Sequence, residues 1–468
     1  MVTKTEPTTE FVQELIPYSR RVFCNRNLRM DTIRYIGFDM DYSLALYKPA
    51  MEHLQAELVL NSMVDVLGYP RSILALKYDP QFAIRGLVVD TEHGNIFKMN
   101  AHRFVGMVWH GGGPLDKEIR RDIYTNRKID LSDPGLMMVD TQFSLPEMHL
   151  YCQLVGLFDK QADNESKPTY DRLWRDLRGA MDVLHSDDSL KTIVRGNIPE
   201  YIYKDPDLPE TLHRFRSAGK KLFLLTNSEP EYTRAVMTYL LDQGHPGYAK
   251  WEDYFDFIIA SARKPGFFVG DTPFLHSNED GSSQSIPVTQ LRRGQIYTGG
   301  NLQELKQWTG MRGDEVLYVG DHLYGDILRS KRDTSWRTAM VVQELERELL
   351  GMQEHGSDLT ELDRLESRLF QINLERAAHA IDGNRDRRLQ GEARQLNQEV
   401  LRLEKQICVH FNHTWGMMVR DRAELSAFGA QMQDYACIYT SRVSNFRLYS
   451  PVWYFRSPRQ RMPHEQLR

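Results

Sequence analysis

Residues 35–43 read Tyr35-Ile36-Gly37-Phe38-Asp39-Met40-Asp41-Tyr42-Ser43, an apolar run that stops on two carboxylates one residue apart. An ionised group in an apolar setting is costly unless it is paired, so a buried strand normally avoids one. Two aspartates where such a strand runs out point to a site at the carboxyl end of a parallel sheet. If the strand continues through Asp39, Asp41 faces the same side and both carboxylates can converge on one ligand. A turn or helix cap after a strand is the simpler alternative, and the rest of the chain decides between them.

Three further segments repeat the pattern. Residues 220–228 run from Lys220 through Leu222, Phe223, Leu224 and Leu225 into Thr226-Asn227-Ser228. Residues 255–260 lead into Ser261-Ala262-Arg263-Lys264-Pro265, and residues 315–320 lead into Asp321 and Asp326. Helical patterns lie between them, at 51–67, 231–241 and 327–332. This alternation predicts an α/β fold with a doubly wound parallel sheet and its site at the strand ends.

The polar endings form a chemical set. A carboxylate nucleophile can take a phosphoryl group, dividing one difficult step into two. A second carboxyl can protonate the leaving oxygen and later deprotonate water. Mg²⁺ suits an all-oxygen ligand set that also binds phosphate. A hydroxyl and an ammonium complete a cradle for phosphoryl oxygens.

Composition sets the outer bounds. A chain of 468 residues is expected to form two or three structural units. A net charge of −5 argues against binding a nucleic acid polymer. The four cysteines show no CxxC pair and read as reduced thiols. Met1 to Glu10 is polar and no long apolar run exists, so neither a secretory signal nor a membrane span is expected, and the location is read as cytoplasmic.

Along the chain, residues 1–30 read as an irregular arm with a short amphipathic piece at Phe11 to Ile16. Residues 86–110 hold β-like runs with a hairpin turn at Thr91-Glu92-His93-Gly94. Residues 168–200 read as one helix carrying Arg178, Asp182 and His185 on a common face. Residues 271–295 are polar and read as a surface loop. Two apolar seams, Leu362 to Ile372 and Leu389 to Ile407, predict an antiparallel helical hairpin, with two ordinary core helices as the alternative. The aromatic tail from Phe411 to Arg468 is expected to pack back on the body. The resulting division is 1–47 arm and first strand, 48–210 insertion, 211–342 core, 343–410 hairpin, and 411–468 C-terminal segment.

The strings FDMDYS (38–43), LLTNS (224–228), ARKP (262–265) and YVGDHLYGD (318–326) resemble, in order, the four motifs of the haloacid dehalogenase-type phosphatases. The longer surroundings, GFDMDYSLALYKP, RGLVVDTEHGN, FLLTNSEPEYT, ARKPGFF, IYTGGN, YVGDHLYGDILRSK, WGMM and the terminal MPHE, are similar to the cytosolic purine 5′-nucleotidase family, selective for IMP and GMP. The resemblance runs from about residue 35 almost to the end of the sequence.

It implies a Rossmann-like core with a large α+β cap inserted after the first strand. Asp39 would be the nucleophile and Asp41 the general acid and base. Thr226, Asn227 and Lys264 would bind the phosphoryl group, and Asp326 would be a supporting acid. Mg²⁺ would be held by the Asp39 carboxylate, the Asp41 main-chain carbonyl and Asp321. Arg178, Asp182, His185, Lys191 and Phe143 would contact a purine nucleoside monophosphate. Asp182 can accept from a purine N–H while Arg178 and His185 donate to its carbonyl oxygen, a combination that a 6-oxopurine offers and adenine lacks. Phosphotransfer to nucleosides and activation by a purine nucleotide are also implied, with Tyr324, Arg332 and Gln431 at the corresponding positions, as is a homotetramer. A phosphatase of the same fold acting on another small ester, such as a sugar phosphate, stays open. A non-catalytic scaffold built on the hairpin would have no need of Asp39 and Asp41 together.

Overall fold

The structure is a computed structural model and describes residues 16–125, 127, 129–161, 167–278, 281–328, 334–378, 383–460, 462 and 465. Its centre is β1 (Tyr35–Phe38), flanked on one side by β2 (Lys221–Leu225) and β3 (Phe257–Ala260), and on the other by β4 (Val316–Gly320) and β5 (Arg337–Val341). All of these neighbours run parallel, as do Ile296–Gly299 beyond β3 and Ile438–Thr440 beyond β5. Antiparallel strands close both edges of the ten-stranded sheet: Phe23–Cys24 on one, Phe274–Ser277 and Ser283–Pro287 on the other.

Successive residues of a strand face opposite sides, and here both sides are buried. Ile36, Phe38, Leu222, Leu224, Ile258, Ala260, Leu317 and Val319 enter one apolar cluster. Their alternates Tyr35, Phe223, Leu225, Phe257, Ile259, Val316 and Tyr318 enter another. This is why the strands read as unbroken apolar runs. Gly37 is required at the centre: a Cβ there would lie 2.2 Å from the Phe223 ring. The fold is the doubly wound parallel sheet expected from the sequence.

Between β1 and β2 lies the long insertion. Its helices α1 (Pro49–Asp65), α2 (Leu145–Asp159), α3 (Tyr170–Ser186) and α4 (Ser189–Gly196) pack together beside a five-stranded antiparallel sheet spanning Val88–Asp90 to Leu136–Met138. The chain leaves the core through Leu46–Tyr47 and returns through Ile202–Tyr203, and these two short strands pair antiparallel. α5 (Pro230–Leu241) comes after β2. The hairpin consists of α6 (Gly356–Ala378) and α7 (Gly383–Phe411), with Leu365, Ile372, Leu389, Ala393, Val400, Leu403 and Ile407 buried along the seam. Among the described residues no helix is long and apolar enough to cross a membrane.

Four expectations change. The single helix at 168–200 is three, broken where Asp188 takes φ 62° and again at Asn197, ahead of Ile198-Pro199. The polar stretch at 271–295 supplies two strands, Phe274–Ser277 and outside it the edge strand Ser283–Pro287, and an edge exposed to water needs no apolar run. The helix expected at Ile327 to Arg332 is a π-helical turn, Leu323–Leu328, and residues 329–333 lie outside the described residues. The arm and tail are not mere wrapping. Phe23–Cys24 and Ile438–Thr440 belong to the main sheet, and Leu28–Arg29 pairs with Tyr454–Phe455. Most of the amphipathic piece at Phe11 to Ile16 lies outside the described residues.

Candidate active site

Asp39 stands directly after β1, and its N–H donates to Val319 O at 2.8 Å, extending the ladder by one residue. Its Oδ1 accepts from Met40 N–H at 2.8 Å and lies 2.9 Å from Lys264 Nζ. Lys264 comes from the loop after β3. Its ammonium also donates to Asp326 Oδ1 at 2.7 Å and to the Tyr318 hydroxyl at 2.9 Å. Asp321 stands at the end of β4. Carboxylate oxygens of Asp39, Asp321 and Asp326 lie within 4.8 Å of one another. Three strand ends therefore converge on one buried cluster.

Asp326 reaches the cluster because the turn after β4 is wide. The N–H groups of Asp326 and Ile327 both donate to His322 O, at 3.0 and 3.2 Å. That brings the Asp326 side chain back beneath Gly320, where an added Cβ would lie 2.6 Å from Asp326 Cβ. Asp326 Oδ2 accepts from His322 N–H at 3.3 Å.

Electrostatics makes the cluster expensive as it stands. Burial drives the Asp39 carboxyl well above its ordinary range; Lys264 opposes this, while Asp326, Asp321 and Asp41 reinforce it. Burial and Asp326 push Asp321 up to about 7. For Lys264 burial works against the charge, but Asp326 and Asp39 outweigh it and the ammonium is held above the usual lysine range. Among the described residues Lys264 is the one cation paired with these carboxylates, Arg85 and His322 only easing Asp321, and an uncompensated buried charge costs several kcal/mol, on the order of 3–5. Asp321 Oδ2 is buried and accepts no hydrogen bond among the described residues. A bare carboxylate oxygen beside two further acids is the donor set of a hard divalent cation, so the residues present fit one.

Asp41 is held differently. Both of its oxygens accept from hydroxyls: Tyr47 on Oδ1 and Ser228 on Oδ2, each at 2.6 Å. Burial raises its carboxyl, while Ser228 and Tyr47 favour the ionised form. Thr226 is fully buried at the end of β2, and its hydroxyl oxygen accepts from Ser228 N–H at 3.1 Å. Asn227, expected at the phosphate, has its side chain paired with the Lys264 backbone: Oδ1 accepts from Lys264 N–H at 2.6 Å and Nδ2 donates to Lys264 O at 3.0 Å. Its side chain fixes the loop that presents Lys264.

Several participants went unread in the sequence. Arg85, fully buried, donates from Nη1 to Asp321 O at 2.9 Å. Its Nε and Nη2 grip Glu344 at 2.8 Å each, and the guanidinium lies over the Phe428 ring. The one signal available was an arginine immediately ahead of the apolar run at 86–89. Tyr47, Tyr232 and Tyr318 sit in apolar patterns and pass for core aromatics.

The insertion faces this cluster. The Phe143 ring lies 4.7 Å from Tyr42 and 5.4 Å from His185, edge-on to both. His185 Nε2 is buried and has no hydrogen-bond partner among the described residues. Burial, with Lys191 and Arg178 nearby, pulls the imidazole down to about 4, so it is neutral at physiological pH. Arg178 Nη1 donates to both Glu147 oxygens at 2.8 Å, and its Nε lies 3.4 Å from Asp182, which stays exposed. Lys191 on α4 pairs with Glu229, next to Ser228, and Arg195 pairs with Glu231 at 2.6 Å. These ion pairs tie the insertion to the start of α5.

Of the three remaining positions, Gln431 is half-buried on the helix Ala427–Tyr435, which packs against the turn carrying Tyr324. Arg332 lies outside the described residues.

The 5′ nucleotidase family profile matches residues 22–467. The chain belongs to the 5′-nucleotidase family. A 5′-nucleotidase domain-containing protein of Dictyostelium discoideum is 32% identical over 458 residues, covering 95% of this chain and 74% of that protein. Among solved structures, a HAD phosphatase from Thermococcus onnurineus is 13% identical with a TM-score of 0.28, covering 66% of this chain and 87% of that one. A 2-haloacid dehalogenase from Pseudomonas syringae pv. Tomato is 15% identical with a TM-score of 0.21, covering 66% and 86%. As a 5′-nucleotidase, the enzyme hydrolyses phosphate monoesters.

Proposed function

We propose that this nucleotidase hydrolyses purine nucleoside 5′-monophosphates, with 6-oxopurines such as IMP and GMP preferred over AMP, in a Mg²⁺-dependent reaction through an aspartyl-phosphate. The observation that carries this reading is the convergence of Asp39, Lys264, Asp321 and Asp326 at three strand ends, with Asp41 two residues beyond Asp39.

In the first step an Asp39 carboxylate oxygen attacks phosphorus and the bond from phosphorus to the 5′ oxygen breaks. Asp41, protonated, gives its proton to that oxygen and releases the nucleoside. In the second step water attacks the phosphoryl group, Asp41 takes its proton, and the bond to Asp39 breaks to free phosphate. Lys264 and the Thr226 hydroxyl lie against the phosphoryl oxygens, and Asp326 keeps Lys264 charged and aimed. The Asp39 carboxylate, the Asp41 carbonyl and Asp321 would hold Mg²⁺, which supplies positive charge against the phosphoryl oxygens.

For the base, support comes from Phe143 and the unpartnered Nε2 of His185, with Arg178, Asp182 and Lys191 on the same face of the insertion. Asp182 is exposed, and beside its pairing with Arg178 through Oδ1 its carboxylate can still accept from a purine N1–H. Phosphotransfer to a nucleoside is the same chemistry with a nucleoside hydroxyl in place of water. A purine nucleotide effector at Tyr324, Arg332 and Gln431, a homotetramer and a cytoplasmic location belong to the same reading.

The test is phosphate release with Mg²⁺ from IMP, GMP, AMP, UMP and a hexose phosphate. IMP or GMP should be preferred, and Asp182→Ala should erase the preference over AMP. A preference for the hexose phosphate, or a purine preference unchanged in the variant, would overturn the substrate assignment.

A further inference from the structure

We propose that Tyr47, itself held by Tyr232, is a positioning residue that fixes Asp41 for proton transfer to the leaving oxygen. This rests on Asp41 being the general acid. The Tyr47 hydroxyl donates to Asp41 Oδ1 at 2.6 Å, and its oxygen lies 2.8 Å from the Tyr232 hydroxyl. With its own proton directed at the carboxylate, Tyr47 accepts from Tyr232. The three groups form a directed chain from α5, through the phenol, to the acid.

The phenol has little freedom. Tyr47 is buried, its ring lies 4.8 Å from that of Tyr42 and 6.2 Å from that of Phe143, and its main-chain carbonyl accepts from Gln343 Nε2 at 2.8 Å. It also lies in the strand Leu46–Tyr47, paired to Ile202–Tyr203 where the insertion leaves and rejoins the core. One side chain thus ties the acid to the joint of the insertion. Ser228 holds the other oxygen at 2.6 Å, so the carboxyl cannot turn without breaking a short bond at each end. Each oxygen keeps a second lone pair, where the transferred proton can sit.

A purely structural Tyr47–Tyr232 pair would make a different prediction from a positioning one. Loss of packing slows every substrate alike. Loss of the acid's aim slows the first step, which kcat/KM reports, only for substrates whose leaving oxygen needs a proton, while the second step is common to all. A nucleoside 5′ oxygen leaves as a strongly basic alkoxide unless protonated, whereas 4-nitrophenolate leaves readily without help. General acid catalysis contributes roughly 10²- to 10⁴-fold, so a misaimed acid should forfeit a measurable part of it.

The experiment measures kcat and KM of the full chain with Mg²⁺ on IMP and on 4-nitrophenyl phosphate. Tyr47→Phe should lower kcat/KM on IMP by about tenfold or more, with kcat/KM on the aryl ester changed by less than about threefold. Tyr232→Phe, one bond further away, should show the same pattern with a smaller fall. Equal losses on both esters, or no loss on either, would overturn the proposal. Asp41→Asn is run alongside. If it discriminates between the esters and Tyr47→Phe does not, the role of Tyr47 alone fails. If Asp41→Asn treats both esters alike, the acid assignment falls and Tyr47's role with it.

Discussion

Lys264 Nζ lies 2.9 Å from Asp39 Oδ1 and 2.7 Å from Asp326 Oδ1, a single buried ammonium shared between two carboxylates from different strand ends. Removing it leaves both carboxylates buried without a counter-charge. Lys264→Met should therefore destabilise the fold by about 3–5 kcal/mol at pH 8, besides abolishing phosphate release. The deficit should shrink at pH 5. Asp39 already has a raised carboxyl, and a carboxyl raised in the fold loses stability as pH rises through its folded value. Without Lys264 that rise grows, so protonation at low pH removes the penalty. Urea unfolding at the two pH values checks this; an equal deficit at both would contradict it.

Asp321 gives a prediction in which stability and metal binding move in opposite directions. Its carboxyl is pushed up to about 7 from the ordinary 3.8, so at pH 8 it is ionised at a cost to the fold. Asp321→Asn removes that charge. In the presence of EDTA the variant should unfold at the same temperature as the wild type, or higher. With Mg²⁺ the order should reverse. A ligand bound only by the folded state at 100 times its Kd adds about 2.7 kcal/mol, and the variant should lose most of that shift. Differential scanning fluorimetry at pH 8 reads both arms. A Mg²⁺ shift of full size in Asp321→Asn would remove Asp321 from the metal site.

The strand ends were legible because a buried parallel strand must be apolar throughout, so Asp39, Thr226, Lys264 and Asp321 stand out where each run stops. The hairpin was legible for a similar reason: its seam repeats at helical spacing over many residues. What escaped depends on the assembled fold. Phe23–Cys24 and Ile438–Thr440 are too short for any periodicity and gain strand character only by pairing, with each other and, for Ile438–Thr440, with β5. Ser283–Pro287 is polar because it is an edge. The wide turn at Leu323–Leu328 has no pattern of its own, and its necessity shows only in the contact of Asp326 with Gly320. Arg85 and Tyr47 are single residues whose partners lie far off in sequence. Asp321 is 236 positions from Arg85, and Tyr232 is 185 from Tyr47.

Arg85 offers a test of how the metal site is supported. Its guanidinium closes a bidentate pair with Glu344 and donates to the main-chain carbonyl of the very residue whose side chain would bind the cation. Arg85→Met keeps an apolar side chain of similar length and removes the guanidinium from the Phe428 ring together with every one of those hydrogen bonds. The expected loss is about 3 kcal/mol, at the lower end for a buried pair because Glu344 keeps partial access to water. Loss of such an outer support should also weaken apparent Mg²⁺ affinity about 10- to 100-fold. Urea unfolding and a Mg²⁺ titration of the thermal shift measure the two separately. Unchanged Mg²⁺ affinity would reduce Arg85 to a core ion pair.

The pH dependence of stability should carry a contribution from His149, on α2. Its Nδ1 accepts from Asp79 N–H at 2.9 Å, and the ring stacks on Phe82, so the fold requires a neutral imidazole. Burial pulls the group down to about 4 from the ordinary 6.5, against a smaller upward pull from the Asp79 carboxylate. The folded chain then resists a proton that the unfolded chain accepts. Stability from this group is complete above about pH 6.5 and is lost as pH falls towards 4. A depression of this size corresponds to about 3 kcal/mol across that window. His149→Gln keeps an acceptor for the Asp79 N–H but cannot titrate. Its unfolding free energy should fall less steeply between pH 7 and pH 4.5 than that of the wild type, and parallel slopes would show that His149 is not the group protonated on acid unfolding.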